Sequence, residues 1–224
     1  MQRFFDIIFS GLALLVLSPL LVPIVIALKL TGEGEVFYIQ QRVGKDGKMF
    51  GLLKFATMLK DSPNLGTGTI TVKNDPRVLP MGGFLRKTKI NELPQLLNIF
   101  LGDMSIIGPR PQDKRCFVVF DDKDQENIKK VRPGLSGVGS IIFRDEESLL
   151  EKQKTLKEKE EFYDDIISPY KGKVESWYIE HQGIGLYFKL IWMTVIAVIS
   201  PNTSINFEEI YDDFPTRPTE LKLN

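Results

Sequence analysis

The sequence predicts an irregular α/β-type domain that is anchored to a membrane by an N-terminal apolar helix. Three observations lead to this prediction: an uncharged stretch at residues 7–28, a hairpin signal at Asp46-Gly47, and a short helical pattern after Asn91-Glu92. A chain of 224 residues suffices for one sizeable domain with an appendage. We therefore expect a membrane helix at 1–33, the main domain at 34–200, and a polar tail at 201–224.

The N-terminal stretch holds 22 uncharged residues, enough as a helix to cross a hydrocarbon core of about 30 Å. A weakly basic start argues against a signal peptide. Ser18-Pro19 lies in its middle, and a proline there breaks or bends a helix. A kinked spanning helix would put Arg3 and Lys29 on opposite sides, whereas a re-entrant hairpin would return both to one face. A core helix of a soluble protein is the third alternative.

A second apolar stretch, residues 184–200, is short for a membrane span. It carries Lys189, with Tyr187 and Trp192 on either side. Aromatic rings at headgroup level and a lysine reaching for water are typical of an amphipathic helix at a membrane interface. A buried core helix is the alternative.

The first half of the main domain predicts a small sheet. Residues 36–44 and 49–59 read as two strands on either side of Asp46-Gly47, a pair that favours a tight hairpin turn. Residues 61–80 are rich in Gly, Pro, Asn and Thr, which predicts an extended loop.

A short helix is predicted over 93–101. Its apolar side chains fall on one helical face: Leu93, Leu96, Leu97 and Phe100. Gly102 is expected to end this helix, and Asn91 or Thr88 to cap its start. This interpretation puts Glu92 at a helix N-terminus, where the helix dipole favours negative charge and bound anions.

Composition limits the chemistry of a site. A single cysteine, Cys116, excludes an intrachain disulfide and a Cys-rich zinc site, and a single histidine, His181, disfavours His-rich metal sites and Ser-His-Asp triads. The groups left to build a chemical site are carboxylates, amides, lysines and arginines. A hard cation such as Mg²⁺ suits these groups, because it takes oxygen ligands and bridges phosphates.

The charge is balanced overall but segregated along the chain. A net charge of zero gives no indication of nucleic-acid binding. Residues 41–90 hold ten Lys/Arg against three Asp/Glu, whereas residues 141–224 hold ten against sixteen. The basic block predicts a phosphate-bearing ligand, although a solvated surface would carry the same charges. Two stiff turns, "GPRP" and "VRPGLSG", restrain Arg110 and Arg132 in a way that suits phosphate contact.

Taken together, the motifs resemble a known family. They are Ser-Pro in the apolar segment, "QQRVGKDGKMFGLLKFATM", "DPRVLPMGGFLRKTKINELPQLLNIFLGDMSIIGPRP" and "VRPGLSG". In this order, over roughly residues 1–200, they resemble the bacterial sugar transferases, which are small monotopic phosphoglycosyl transferases. The resemblance implies a re-entrant helix that bends at Ser18-Pro19, at the cytoplasmic face of the bacterial inner membrane.

The resemblance also implies a reaction. A sugar 1-phosphate would pass from a UDP-sugar to polyprenyl (undecaprenyl) phosphate with Mg²⁺, releasing UMP, as the first step of a glycan, O-antigen or capsule pathway. Expected partners are these two substrates, membrane lipids, downstream glycosyltransferases and a second copy in a homodimer, but not nucleic acid.

The family pattern has an Asp-Glu pair where this chain has Asn91-Glu92. In the family the aspartate is the nucleophile and the glutamate helps to hold the metal. A neutral amide is a poor nucleophile toward phosphorus, so this chain departs from the family at its reacting residue. Carried over to this sequence, the phosphate- and substrate-binding candidates are Lys54, Arg86, Arg110, Arg132, Arg144 and Glu175.

Three hypotheses follow. In the first, the chain is an active transferase, and the attacking group is Glu92, Asp145, Glu175 or the polyprenyl phosphate itself. In the second, it is a catalytically silent relative that binds nucleotide sugar or lipid phosphate and scaffolds a glycosyltransferase. In the third, it is an unrelated interfacial protein whose basic block contacts anionic lipids.

Overall fold

The computed structural model describes residues 1–65, 75–200 and 205–221 and combines short helices with two two-stranded sheets. The strands are β1 (Phe37–Val43), β2 (Met49–Phe55), β3 (Ser105–Ile107) and β4 (Gly134–Ser136). The α-helices are α1 (Gln2–Leu30), α2 (Gly82–Lys87), α3 (Gln95–Leu101), α4 (Lys114–Phe117), α5 (Asp122–Ile128), α6 (Val138–Ile142), α7 (Glu146–Glu151), α8 (Leu156–Phe162), α9 (Ser168–Glu180), α10 (Ile184–Ile199) and α11 (Phe207–Ile210). This mixture confirms the coarse fold class.

The chain forms two compact units. The first unit consists of Met1–Phe4, Arg42–Phe50 and Asp103–Asn224, and the second consists of Phe5–Gln41 and Gly51–Gly102. The boundaries predicted after residues 33 and 200 stay predictions. Of the predicted loop 61–80, residues 66–74 lie outside the described residues.

Helix α1 is long and apolar enough to cross a membrane. Of its most apolar stretch of 18 residues, only 11 % is buried within the protein. Pro19 and Pro23 both lie inside it. Pro19 lacks the N–H that would bond the carbonyl of Leu15, and the Ser18 hydroxyl donates to that carbonyl instead, at 2.7 Å. Ser18 therefore compensates for the proline, while the bend and the re-entrant path stay predictions.

The hairpin prediction is confirmed. Strands β1 and β2 pair in one sheet, joined by a short 3₁₀ turn, Lys45–Gly47. Asp46 and Gly47 both have positive φ, 58° and 71°. Asp and Gly tolerate this backbone better than most residues, which is why the dipeptide predicted the turn.

Helix α3 confirms the predicted helix, but its buried face differs from the prediction. Gly102, with φ 108°, ends the helix as expected. Leu96 and Ile99 face the core, whereas Phe100 is exposed. The reason is Asn98, whose side chain accepts from the Leu53 amide and donates to the Gly51 carbonyl, both at 2.9 Å. This pair of hydrogen bonds to β2 turns the Asn98 side of the helix inward.

The core of the second unit joins α1 to the residues around β2. Ile24 and Leu28 from α1 pack with Phe55 at the end of β2 and with Leu85 of α2. Leu28 and Leu85 are almost fully buried. The C-terminal part of the apolar helix is therefore part of this core as well as a candidate membrane segment.

In the first unit, β3 and β4 pair in parallel, with Ser105 opposite Gly134 and Ile107 opposite Ser136. The segment "VRPGLSG", predicted as a turn, therefore contains a strand. Its backbone groups bond to β3, a partner distant in sequence that local patterns do not reveal. The described part of the tail packs on α9, where the Phe214 ring lies 4.8 Å from the Trp177 ring.

Helix α10 is apolar on both faces. Tyr187, Leu190, Met193 and Ala197 are buried, whereas Trp192 and Val198 are mostly exposed. Lys189 is not extended away from the protein, since its ammonium group lies 4.5 Å from the centre of the Tyr211 ring. One face of α10 thus belongs to the core, and the other is an uncovered apolar surface.

Two adjacent glycines at the start of α2 allow a matched test of the second unit. A Cβ on Gly82 would lie 2.0 Å from the Thr57 carbonyl oxygen, whereas a Cβ on Gly83 would meet nothing within 4 Å. We predict that Gly82→Ala lowers the free energy of unfolding by about 2 kcal/mol or more. Gly83→Ala should leave it unchanged or raise it by up to about 1 kcal/mol, since alanine favours a helix. Thermal unfolding of both variants in detergent measures this, and equal stabilities would contradict the packing at Gly82.

Candidate active site

Asn91 and Glu92 lie on a short 3₁₀ turn, Ile90–Glu92, which we call the Asn91 turn. The preceding Lys89 has φ 59°, a left-handed backbone that costs a non-glycine residue about 1 kcal/mol or more. Such strain is often stored near functional sites. The reversal at Lys89 separates α2 from the Asn91 turn.

The expected position of Glu92 at a helix N-terminus is wrong. Helix α3 begins only at Gln95, with Pro94 in the cap position and no side-chain cap. Thr88, an expected cap, instead donates its hydroxyl to the Phe84 carbonyl at 2.8 Å. The left-handed Lys89 and the following 3₁₀ turn delay the helix to Gln95, two residues after its predicted start.

Asn91 is only 9 % exposed, and its side-chain Oδ1 has no hydrogen-bond partner among the described residues. A buried carbonyl oxygen without a donor costs about 1–3 kcal/mol, so it is an atom for which an external donor or cation would compensate. Glu92 beside it is half-buried. The Asn91 turn thus supplies one amide oxygen and one carboxylate.

The second unit also contains two of the predicted phosphate-binding residues. Lys54 lies on β2 and is half-buried. Arg86 lies in the last turn of α2, where its Nη1 contacts the Met58 sulfur at 3.5 Å. The structure therefore places Lys54, Arg86, Asn91 and Glu92 in one compact unit.

Asn98 is a residue of this unit that the sequence reasoning missed. It is 2 % exposed, and it ties α3 to the backbone of β2, the strand that carries Lys54. An amide in the apolar run "LLNIF" was the available signal, because a buried amide needs specific partners.

In the first unit, the segments 108–111 and 131–137, here called the paired arginine turns, carry Arg110 and Arg132. Two backbone hydrogen bonds join them, from Gly108 N–H to the Ser136 carbonyl at 3.0 Å and from Gly134 N–H to the Pro109 carbonyl at 2.8 Å. A third, from Ser105 N–H of β3 to the Pro133 carbonyl at 2.9 Å, precedes them. A Cβ on Gly134 or on Gly137 would come within 2.2 Å of the Gly108 backbone. Only glycine lets the two chains approach this closely.

Glu175, on α9, lies beside the paired arginine turns. Its side chain is fully buried, with the residue 1 % exposed, and its Oε1 accepts from the backbone N–H of Arg110 at 3.0 Å. Its Oε2 has no hydrogen-bond partner among the described residues. Burial raises the pKa of Glu175 to about 7, against the opposing effects of the Arg110 amide and of the charges of Lys171 and Arg110.

Arg144 has a different environment within the first unit. Its Nη1 donates to the Ala197 carbonyl near the end of α10 at 2.7 Å, and its Nη2 lies 3.8 Å from Asp145 Oδ2. It also lines a cavity of about 110 Å³ together with Arg217 and apolar side chains. Arg144 is thus tied to the C-terminus of α10.

Arg42 is a second missed residue, although it belongs to the motif "QQRVG". It lies close enough to Arg110 for their positive charges to interact, and burial is the main cause that lowers the pKa of Arg42. The Asp113 carboxylate lies 3.4 Å from the Arg42 guanidinium and partly offsets this lowering of the pKa. The side of the first unit that carries Arg110 is therefore more basic than the predicted residues alone indicate.

Comparison with known proteins adds the decisive observation: a profile of the bacterial sugar transferases matches residues 1–201. The chain belongs to this family. The resemblance inferred from the motifs is thereby confirmed for most of its length.

The chain matches different fractions of the lengths of its individual relatives. The chain is 37 % identical over 161 residues to the exopolysaccharide production protein ExoY of Rhizobium meliloti (strain 1021), covering 66 % of this chain and 71 % of the relative. It is 39 % identical over 161 residues to the UDP-glucose:undecaprenyl-phosphate glucose-1-phosphate transferase of Escherichia coli (strain K12), covering 69 % and 34 %. With the Klebsiella pneumoniae protein of that same name it shares 36 % identity over 203 residues, covering 87 % and 39 %. The chain thus spans 34 % and 39 % of the lengths of these two longer transferases.

The resemblance to the sugar transferases implies a bound Mg²⁺, and the described residues contain no cluster of three His, Cys, Asp or Glu side chains. Mg²⁺ does not need such a cluster, since it commonly takes one or two protein oxygens together with substrate phosphates and water. The orphaned Oδ1 of Asn91 and the neighbouring carboxylate of Glu92 match this oxygen chemistry. The Asn91 turn therefore fits a Mg²⁺ ion.

The raised pKa of Glu175 predicts a pH-dependent stability. The folded protein holds a proton at Glu175 up to a pKa of about 7, whereas the unfolded chain releases it near the ordinary value of 4.5. Stability should therefore fall as pH rises between these values, by up to about 3 kcal/mol. Glu175→Gln should remove this part of the fall.

Thermal unfolding of the wild-type chain and of Glu175→Gln between pH 5 and pH 8 measures the effect. Glu180→Gln, at an exposed position of the same helix, serves as the control and should follow the wild type. Parallel pH curves for all three proteins would mean that Glu175 does not titrate in this range.

Proposed function

We propose that the chain transfers a sugar 1-phosphate from a UDP-sugar to polyprenyl phosphate and releases UMP, at the start of a glycan assembly pathway. The observation that carries this proposal is the family match over residues 1–201, with relatives named as undecaprenyl-phosphate sugar-phosphate transferases. The two groups of residues described above are consistent with it, because each combines rigid backbone with groups suited to phosphates.

We propose the following roles for the residues. Arg110 and Arg132, held by the paired arginine turns, bind phosphate oxygens, and Lys54 and Arg86 do so in the second unit. Glu92 would hold Mg²⁺, with Asn91 Oδ1 as a second oxygen donor. When bound, the ion supplies positive charge that offsets the charge of the diphosphate during phosphoryl transfer.

The attacking group in this chain is proposed to be the polyprenyl phosphate itself, because the amide of Asn91 is a poor nucleophile. An oxygen of the lipid phosphate bonds to the β-phosphorus of the UDP-sugar. The bond from that phosphorus to the oxygen bridging to the α-phosphorus breaks, and UMP leaves with this oxygen and the electron pair. The product is a polyprenyl diphosphate sugar, formed without a covalent enzyme intermediate.

We place this reaction at the cytoplasmic face of the bacterial inner membrane. The apolar surface of α1 supports a membrane-embedded helix, and Ser18-Pro19 supports a re-entrant path. The exposed apolar face of α10, with Trp192, supports an interfacial position for that helix. Downstream glycosyltransferases and a second copy of the chain are the partners that we propose for the membrane-bound protein.

The reaction is tested by measuring UMP release in nanodiscs with undecaprenyl phosphate, Mg²⁺ and a panel of UDP-sugars. We predict slow turnover by this chain and a rate at least about 100-fold higher for Asn91→Asp, which restores a carboxylate nucleophile. Chelation of Mg²⁺ should abolish both activities, and so should Glu92→Gln. Intact mass should reveal a phosphosugar adduct only on Asn91→Asp.

Two outcomes would change this interpretation. A covalent adduct on the Asn91 form would disprove direct displacement. Absence of UMP release from both forms on every sugar would favour the silent relative that binds nucleotide sugar or lipid phosphate. The observation that favours this second candidate is the amide of Asn91 at the position where the family has its nucleophile.

The re-entrant path makes a separate prediction. In a Cys116→Ser background, single cysteines introduced by Arg3→Cys and by Thr31→Cys should both react with a membrane-impermeant thiol reagent added from the same side of sealed vesicles. A kinked spanning helix would expose them on opposite sides. Modification of the two positions from different sides would therefore refute the re-entrant path while leaving membrane attachment intact.

A further inference from the structure

Glu175 is a buried acidic group to which the proposed reaction assigns no role. Burying a carboxylate is costly unless it is compensated, and this one has a single hydrogen bond, from the Arg110 amide, among the described residues. At 1 % exposure it is closed off from a substrate. Its role must therefore be exerted through the groups that it touches.

The Glu175 carboxylate contacts the Arg110 turn and helix α6, which directly follows the segment that carries Arg132. Its Oε1 accepts from the Arg110 amide at 3.0 Å. The same oxygen lies so close to Gly139 that a Cβ there would be only 2.3 Å away. Gly139 is the second residue of α6 and lies two residues after Gly137, the glycine that packs on Gly108. One carboxylate thus supports the Arg110 turn and the backbone that follows Arg132.

The backbone conformation of Arg110 is already restricted by its neighbours in the sequence, before the contact with Glu175 is considered. Pro109 and Pro111 have their own φ angles fixed, and each proline also restrains the residue before it. The remaining freedom is the orientation of the Arg110 peptide N–H, and Glu175 holds that group. The Arg110 side chain itself is exposed and is available to a ligand.

We propose that Glu175 is a positioning residue that fixes the Arg110 turn through its backbone amide and thereby sets the affinity for the diphosphate of the nucleotide sugar. This inference rests on the proposed function, because it takes a nucleoside diphosphate as the ligand of Arg110. It assigns to Glu175 a role through Arg110 rather than a contact with substrate.

The protonation of Glu175 gives the proposal a measurable signature. With a pKa of about 7, the carboxyl group is largely neutral at pH 6 and largely ionised at pH 8. An ionised acceptor makes the stronger hydrogen bond to the Arg110 amide. The charged groups that face it are Arg110 from the turn and Lys171 from its own helix, and Lys171 is paired with Glu146 at 2.7 Å. Glutamine resembles the neutral acid, so Glu175→Gln should differ from the wild type mainly at pH 8.

The first experiment measures the affinity for UDP in detergent micelles by calorimetry at pH 6 and at pH 8. We expect the ratio of Kd for Glu175→Gln to Kd for the wild type to be near one at pH 6 and about threefold at pH 8. Taking the ratio cancels the titration of UDP itself. Glu180→Gln should give a ratio near one at both values. Gly139→Ala, which displaces the carboxylate without removing it, should weaken UDP binding at both.

The second experiment follows amide hydrogen exchange at Arg110 and does not depend on any ligand. At pH 8, Glu175→Gln should exchange about threefold faster than the wild type at this amide, with the amides of β3 unchanged. Unchanged exchange at Arg110, or an equal Kd ratio at both pH values, would overturn the proposal. If neither this chain nor Asn91→Asp binds UDP, the proposed function fails and so does the role in nucleotide affinity. The exchange result would then still decide whether Glu175 holds the turn.

Discussion

The first unit depends on one constraint, the close contact of two backbones where the paired arginine turns cross. Gly134 and Gly137 bring their chain against Gly108 at a distance that no side chain permits, and backbone hydrogen bonds fix the register. Parallel strands of three residues give little stability by themselves, so packing against α9 and α10 has to support them. The Ser136 hydroxyl, at 2.8 Å from that of Thr194, and the Tyr178 hydroxyl, which donates to Ile107, provide part of this support.

In the second unit, an amide plays the organising part that glycine plays in the first. Asn98 satisfies a donor and an acceptor of β2 with one side chain, and this couples α3 to the strand that carries Lys54. The strained Lys89 then separates α2 from the Asn91 turn. As a result, the basic residues and Asn91-Glu92 lie on different short elements of a unit whose core includes part of α1. Loosening α1 would therefore be expected to disturb the geometry around β2 as well as membrane attachment.

The sequence predicted features whose causes are local. Asp46-Gly47 and Gly102 were identified correctly, because positive φ selects Gly, Asp and Asn at single positions. The buried face of α3 was missed, because it depends on bonds from Asn98 to residues more than 40 positions earlier. The burial of Glu175 was not predictable for the same reason, since its partner amide lies 65 residues away. The family motifs did indicate which residues to consider, but the contacts of Glu175, Arg42 and Arg144 required three-dimensional packing.

The hydrogen bond from Ser18 to Leu15 has a consequence for how deeply α1 can lie in lipid. A proline in a helix frees one carbonyl, and in hydrocarbon an unsatisfied backbone group costs several kcal/mol. Such a residue would ordinarily be driven toward the headgroups, where water can reach the freed carbonyl. Because the hydroxyl beside Pro19 already occupies that carbonyl, the proline can rest well below the headgroup layer. The Ser18 hydroxyl thus removes the need for water at the Leu15 carbonyl, and with it one reason for Pro19 to lie near the headgroups.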